Sequence, residues 1–222
     1  MDDASWGRLE RYAQLLGQQS RRLRLVSRRA EGEIGLHVTD AAALLRVEPL
    51  GGATGRAQDV ADLGTGGGIP GVVIAILRPA VRVVLVDARR SRIVFLKEAA
   101  RELALDNVEV VHARLEALGG VRQFDVAVSR ALGAIEETLV PSLRLLSSRG
   151  RLILFKGPAW EREEARAVSL ASGVGCELGW VRDVQLPGYG RGTRFVEFHV
   201  KQEGRAPGTP GGRRSQKTEP PG

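Results

Sequence analysis

Ten residues, Asp62-Leu63-Gly64-Thr65-Gly66-Gly67-Gly68-Ile69-Pro70-Gly71, restrict what this chain can become more than any other segment. Ahead of them, Asp59 to Leu63 is an apolar run of strand length. Behind them, Val72 to Leu77 continues as helix, and Pro70 can open it because a first helical turn does not use the missing N–H. Glycines let the turn be tight and let a ligand approach backbone N–H groups. The helix N-terminus behind the turn favours a carboxylate or phosphate. The plain alternative is a tight turn with no ligand.

The rest of the chain repeats this alternation. Val81 to Val86 reads as a strand ending at Asp87, and Ser91 to Leu103 as a helix with Ile93, Leu96, Ala100 and Leu103 on one face. Val108–Val111 and Phe124–Val128 are strands, the second ending at Ser129-Arg130. Ile135–Leu146 is a helix, Arg151–Phe155 a strand ending at Lys156-Gly157, and Trp160–Leu170 a charged helix. Apolar strands separated by helices predict a parallel sheet covered on both faces. Glu177–Gln185 and Phe195–Lys201 are joined by so short a loop that they must form a hairpin, which makes the last strand antiparallel. At the other end, Trp6, Leu9, Ala13 and Leu16 recur at helical spacing, and a second helix covers Leu36 to Leu45. The expectation is an α/β, Rossmann-like sheet with an N-terminal helical cap. Residues 1–50 form the cap, 57–203 the core, and 204–222, rich in Gly and Pro, a disordered basic tail.

Composition narrows the function classes. One cysteine, Cys176, excludes an internal disulfide or a four-Cys zinc site. His37, His112 and His199 are the only histidines, too few for a His-rich metal site. An acidic start, Met1-Asp2-Asp3, with no apolar run behind it shows no signal peptide, and no apolar stretch is long enough to span a bilayer. A cytoplasmic, membrane-free protein is expected. The net charge of +7 is carried mainly by arginine, with five arginines between Arg21 and Arg29 and others at Arg89, Arg90 and Arg92. Arginine forks suit phosphate, but this charge does not identify a substrate.

The glycines admit two registers. Gly66-x-Gly68-x-x-Gly71 fits the dinucleotide fingerprint, although its first glycine lies past the strand and Pro70 falls inside it. Gly64-x-Gly66-x-Gly68 begins where the strand ends and suits the looser loop of S-adenosylmethionine enzymes. In both, Asp87 at the end of the next strand is placed to take a ribose diol.

The sequence resembles the RsmG/GidB family, bacterial methyltransferases that modify N7 of a guanine in 16S, small-subunit, ribosomal RNA. The resemblance rests on the glycine segment, Arg92 with Phe95-Leu96, Ala113-Arg-Leu-Glu116, Ser129-Arg130-Ala131, Phe155-Lys156-Gly157 and Arg194. The chain departs from the family pattern at Arg24 and Leu36. The resemblance implies a class I methyltransferase using S-adenosyl-L-methionine, with the 30S subunit as partner and the protein acting as a monomer. Asp62, Gly64, Gly66, Gly68, Ile69, Asp87, Leu115, Glu116 and Arg130 are the expected cofactor contacts. Lys156, Arg191, Arg194 and His37 are the expected substrate contacts.

The implied chemistry asks little of the protein. Guanine N7 carries a free lone pair at neutral pH, so no general base is expected. Positioning against the sulfonium methyl is what helps, with Arg130 and Lys156 as positioning residues. The base becomes cationic, so nearby cations should hold phosphate or O6 from the side. Tyr189 with Arg191 and Arg194 could stack on a base and grip phosphate. His37 and Asp40, three apart on a helix, can pair; His112 and His199, the latter on an edge strand, read as structural, and Cys176 as buried. Three rival readings stand beside this one: an NAD(P)-dependent oxidoreductase, a methyltransferase with another substrate, and a non-catalytic RNA-binding relative.

Overall fold

The structure is a computed structural model that describes residues 2–23, 25, 32–48, 50–51, 59–119, 121–130, 133–157, 159–186 and 191–201. Seven strands form one sheet: β1 (Asp59–Leu63), β2 (Arg82–Asp87), β3 (Val108–His112), β4 (Phe124–Ser129), β5 (Leu146–Lys156), β6 (Cys176–Leu186) and β7 (Arg191–Val200). Their order is β3-β2-β1-β4-β5-β7-β6. The first five strands pair in parallel, and β7 is antiparallel to both β5 and β6.

Alternate residues of each strand enter different layers, as a period of two requires. Val60, Val83, Leu85, Val126, Val128, Ile153, Phe155 and Phe195 meet α1 (Asp3–Leu23), α2 (Ile34–Val47), α3 (Gly71–Leu77) and α4 (Arg90–Glu102). Ala61, Leu63, Val84, Val86, Ala127, Leu152, Leu154, Val196 and Phe198 meet α6 (Ile135–Leu143) and α7 (Trp160–Ser172) on the opposite face. A single turn, α5 (Leu115–Leu118), follows β3. The two N-terminal helices thus share a core with the sheet. No described helix is long and apolar enough to cross a membrane.

Three sequence expectations are corrected. The last strand is not at the edge: β7 lies between β5 and β6, so His199 sits on an interior strand, within 3.1 Å of Glu177 and 3.4 Å of Glu197. The hairpin returns into the sheet because β7 supplies two apolar faces, Phe195 to one layer and Val196 and Phe198 to the other. Helix α6 stops at Leu143 rather than Leu146. Leu145 O accepts the Phe124 N–H at 2.8 Å and Leu146 pairs with Phe124, so these leucines already belong to the sheet. Apolar residues at this boundary satisfy either period. Finally, Trp6 is 53% exposed, and the buried stripe of α1 is Leu9, Tyr12, Leu16 and Ser20. Arg24, Arg28, Arg29, Tyr189 and the tail from Gly204 lie outside the described residues.

Candidate active site

The glycine loop closes the carboxyl end of β1 and is held from three directions. From beneath, Asp62 Oδ2 accepts the Thr65 hydroxyl (2.6 Å) and the Gly71 N–H (2.8 Å). From the next strand, Asp87 Oδ2 accepts the Gly66 N–H at 3.0 Å. From α1, the buried Tyr12 hydroxyl donates to Gly67 O at 2.8 Å. Gly64, Gly66 and Gly68 all have positive φ, which glycine adopts without a steric cost. A Cβ at Gly68 would meet Val72 Cγ2 at 2.6 Å and Tyr12 Oη at 2.9 Å, so this glycine also serves packing. The glycines of both sequence registers therefore have structural work, and the loop does not choose between them.

Beside the loop, at the carboxyl ends of β1, β2 and β3, lies an open cavity of about 340 Å³. It collects four of the expected cofactor contacts, Gly64, Asp87, Leu115 and Glu116, with Val86, Ala88, Ala113, Arg89, Arg92, Arg114, Glu137 and Thr138. Open α/β sheets bind ligands here, next to the point between β1 and β4 where the strand order reverses. Asp87 accepts from Gly66 N, Arg89 N (2.8 Å) and Arg92 Nη1 (3.0 Å). A carboxylate has about four acceptor sites, so capacity for a ribose hydroxyl remains. The cavity volume, the apolar Val86, Ala88, Ala113 and Leu115 among its charged walls, and this carboxylate suit an adenosyl group. S-adenosylmethionine, the expected cofactor, would be held at Gly64, Asp87, Leu115 and Glu116.

Other expected contacts sit elsewhere. Asp62 is buried under the loop and does not line the cavity; Gly68 and Ile69 are packed into the core. Arg130 and Lys156 line a second, smaller cavity of about 50 Å³ with Ser129, Phe155 and Thr138, and Thr138 is shared with the larger one. Strand parity sends Arg130 to the α2 layer, where it donates to His37 Nδ1 and to Asp40 (3.1 Å). Asp40 also accepts the Thr193 hydroxyl of β7. Because arginine only donates, His37 Nδ1 is the acceptor in this contact. Lys156 and Arg194 point to the α7 layer: Lys156 to Glu163 (2.5 Å), and Arg194 to Asp183 (2.7 and 2.9 Å) and Glu161 (3.4 Å). Arg191 is described only as the first residue of β7. Tyr12, Thr193, Asp183, Glu161 and Glu163 were not found by sequence reasoning. Tyr12 had a readable signal, its place three residues after Leu9 on the buried stripe.

Burial raises Asp62 to about 7, against the Thr65 and Gly71 hydrogen bonds, which lower it; Asp87 raises it further and Arg130 lowers it. In the unfolded chain this carboxyl titrates near 3.8. Between those values the folded protein holds the proton more tightly, so this contribution is intact below pH 3.8 and lost as pH rises through 7. Asp62→Asn removes the effect. From pH 4 to 8, the stability of the variant relative to wild type should rise by as much as about 4 kcal/mol. Urea unfolding across that range measures it, and a difference that does not change with pH would contradict it.

The family profile described as rRNA small subunit methyltransferase G matches residues 6–174. The chain belongs to the rRNA small subunit methyltransferase G family. Curated relatives named ribosomal RNA small subunit methyltransferase G include one from Geobacter metallireducens, 32% identical over 206 residues, covering 91% of each chain. Another, from Rubrobacter xylanophilus, is 35% identical over 90% of this chain and 77% of the relative. A third, from a Nocardioides species, is 43% identical over 140 residues, 63% of this chain and 54% of the relative. In fold, the chain is similar to magnesium protoporphyrin IX methyltransferase from Synechocystis, a structure with bound SAM, at TM-score 0.60 and 18% identity over 90% of this chain and 98% of that one. It is also similar to TrmN from Thermus thermophilus, at TM-score 0.54 and 24% identity over 72% of this chain and 48% of that one. The architecture is thus that of a class I, Rossmann-like methyltransferase. This member of the rRNA small subunit methyltransferase G family carries both cavities at the carboxyl edge of its sheet.

Proposed function

We propose that this protein transfers the methyl group of S-adenosylmethionine to N7 of a guanine in 16S ribosomal RNA, acting as a monomer on the 30S subunit in the cytoplasm. The observation that supports it most is that the two cavities are neighbours with Thr138 in the wall of both, within a chain of this family. The larger takes the adenosyl group, with Asp87 at the ribose and Leu115 and Glu116 at the adenine. The smaller, between the ends of β4 and β5, marks where the acceptor base arrives. Residues 57–203 form the catalytic core, residues 1–50 cap it, and residues 204–222 form a basic tail.

The residues around the smaller cavity agree with chemistry that needs no base. Arg130 and Lys156 line it, and each is engaged by a carboxylate. Neither is arranged to accept a proton, and none has to be removed from N7. Their role is to orient, by proximity, a nucleophile that is already competent.

Mapping of 7-methylguanine in small-subunit rRNA, from cells with and without the gene, tests the reading. One guanine should lose its methyl group when the gene is deleted, and purified protein should restore it on 30S particles from the deletion strain. An unchanged map would overturn the substrate assignment. Thermal stabilisation by NAD(P) but not by S-adenosylhomocysteine would replace it with the oxidoreductase reading.

A further inference from the structure

Lys156 and Arg194 stand directly opposite one another in the antiparallel β5–β7 pair. Like charges in such positions repel. The first turns of α7 answer this repulsion. Glu163 Oε2 lies 2.5 Å from Lys156 Nζ, and Glu161 Oε1 lies 3.4 Å from Arg194 Nη1. Arg194 is also gripped by both oxygens of Asp183. Lys156 is only 17% exposed, and its ammonium lies 5.9 Å from the centroid of the Trp160 ring. Of the two cations, Lys156 alone lines the smaller cavity.

This arrangement bears on a charge that moves. Resting on the guanine-N7 reading above, we propose that Glu163 is a positioning residue that neutralises Lys156 and so lets the acceptor base become cationic. As the N7 lone pair forms the new N–C bond, the S–C bond breaks and its electron pair goes to sulfur. The positive charge leaves the sulfonium and ends on the guanine, and no proton moves. An ammonium at the cavity wall without its carboxylate opposes that shift, because like charges repel, and more strongly the less water lies between them. Glu163 cancels the field and draws Nζ toward α7. Asp40 does the same for Arg130, the other cation of this cavity.

The test is single-turnover methyl transfer to 30S particles lacking the modification, with Glu163→Gln, Lys156→Gln and the double variant. Glu163→Gln should slow transfer at least tenfold. Its affinity for 30S particles, measured by filter binding, should be unchanged or tighter, because a negative charge facing a polyanion has been removed. Its affinity for S-adenosylhomocysteine should not change. The double variant should transfer faster than Glu163→Gln alone, since removing the ammonium removes the repulsion, while it and Lys156→Gln both stay below wild type because Lys156 no longer orients the base. If Glu163 only braces α7, both variants lose thermal stability and rate together without recovery, and the proposal falls. It also falls if Glu163→Gln transfers at the wild-type rate, whatever Lys156→Gln does to 30S binding. Absence of transfer by the wild-type protein would instead overturn the guanine-N7 reading itself.

Discussion

Gly71→Ala should lower the thermal unfolding midpoint by roughly 6–12 °C, or about 3 kcal/mol, the upper range for overpacking a core. A Cβ here would lie 2.3 Å from Leu85 Cδ2, 2.8 Å from Asp62 Oδ2 and 2.9 Å from Asp62 Cβ. Neither neighbour can give way easily. Leu85 is fully buried in β2, and the Asp62 carboxylate is fixed by Thr65 and by the N–H of Gly71 itself. The added methyl forces α3 away from the sheet and loosens the loop that Asp62 holds. Gly7→Ala is the control: its Cβ meets nothing within 4 Å, and the position lies inside α1. That change should raise stability by about 0.5–1 kcal/mol through the backbone term alone. A Gly71→Ala midpoint within about 2 °C of wild type, less than the shift expected for 1 kcal/mol, would show that the α3–β1 contact yields.

Asp87→Ala should reduce affinity for S-adenosylmethionine at least a hundredfold, about 2.7 kcal/mol or more, by calorimetric titration. The carboxylate is buried, and it holds the Gly66 N–H, the Arg89 N–H and the Arg92 guanidinium at the wall of the larger cavity. Two losses combine. A ribose hydroxyl loses a charged acceptor, and such bonds contribute more than neutral ones. The loop also loses the group that fixes Gly66 and orients Arg92, so the site is less well formed before the ligand arrives. Asp87→Asn should fall between the two proteins, since its amide keeps one acceptor but turns donors toward Arg92. Wild-type affinity in Asp87→Ala would move the ribose away from β2.

How much of this was legible depends on the range of each interaction. The glycine turn, its flanking strand and helix, and Asp87 at the next strand end all lie within one βαβ unit. Local patterning therefore brought Gly64 and Asp87 to one cavity. Lys156-Gly157 was readable as a strand end for the same reason, but its partner Glu163 was not. Glu163 lies in an ordinary acidic first stretch of helix, and nothing there marks it out from Glu161 or Glu164. Asp62 was readable as an acid beside the glycines, yet its direction was not. It points under the loop because its parity on β1 faces α3, whereas the larger cavity opens beside Gly64 and Asp87.

The sequence by itself determined the element types, the parallel sheet with an antiparallel end, and the edge of that sheet where ligands gather. Those follow from periods of two and 3.6 residues and from glycine's freedom, which are local properties. Tertiary structure alone decided that β7 inserts between β5 and β6 and that Tyr12 pins the glycine loop. It also decided which carboxylate faces each cation of the smaller cavity. Arg130 meets Asp40 across 90 positions and Thr193 meets Asp40 across 153, so no local periodicity encodes them. They exist because strand parity sends one side chain to the α2 layer and its neighbour to the α7 layer, and packing of those layers brings the partners into reach.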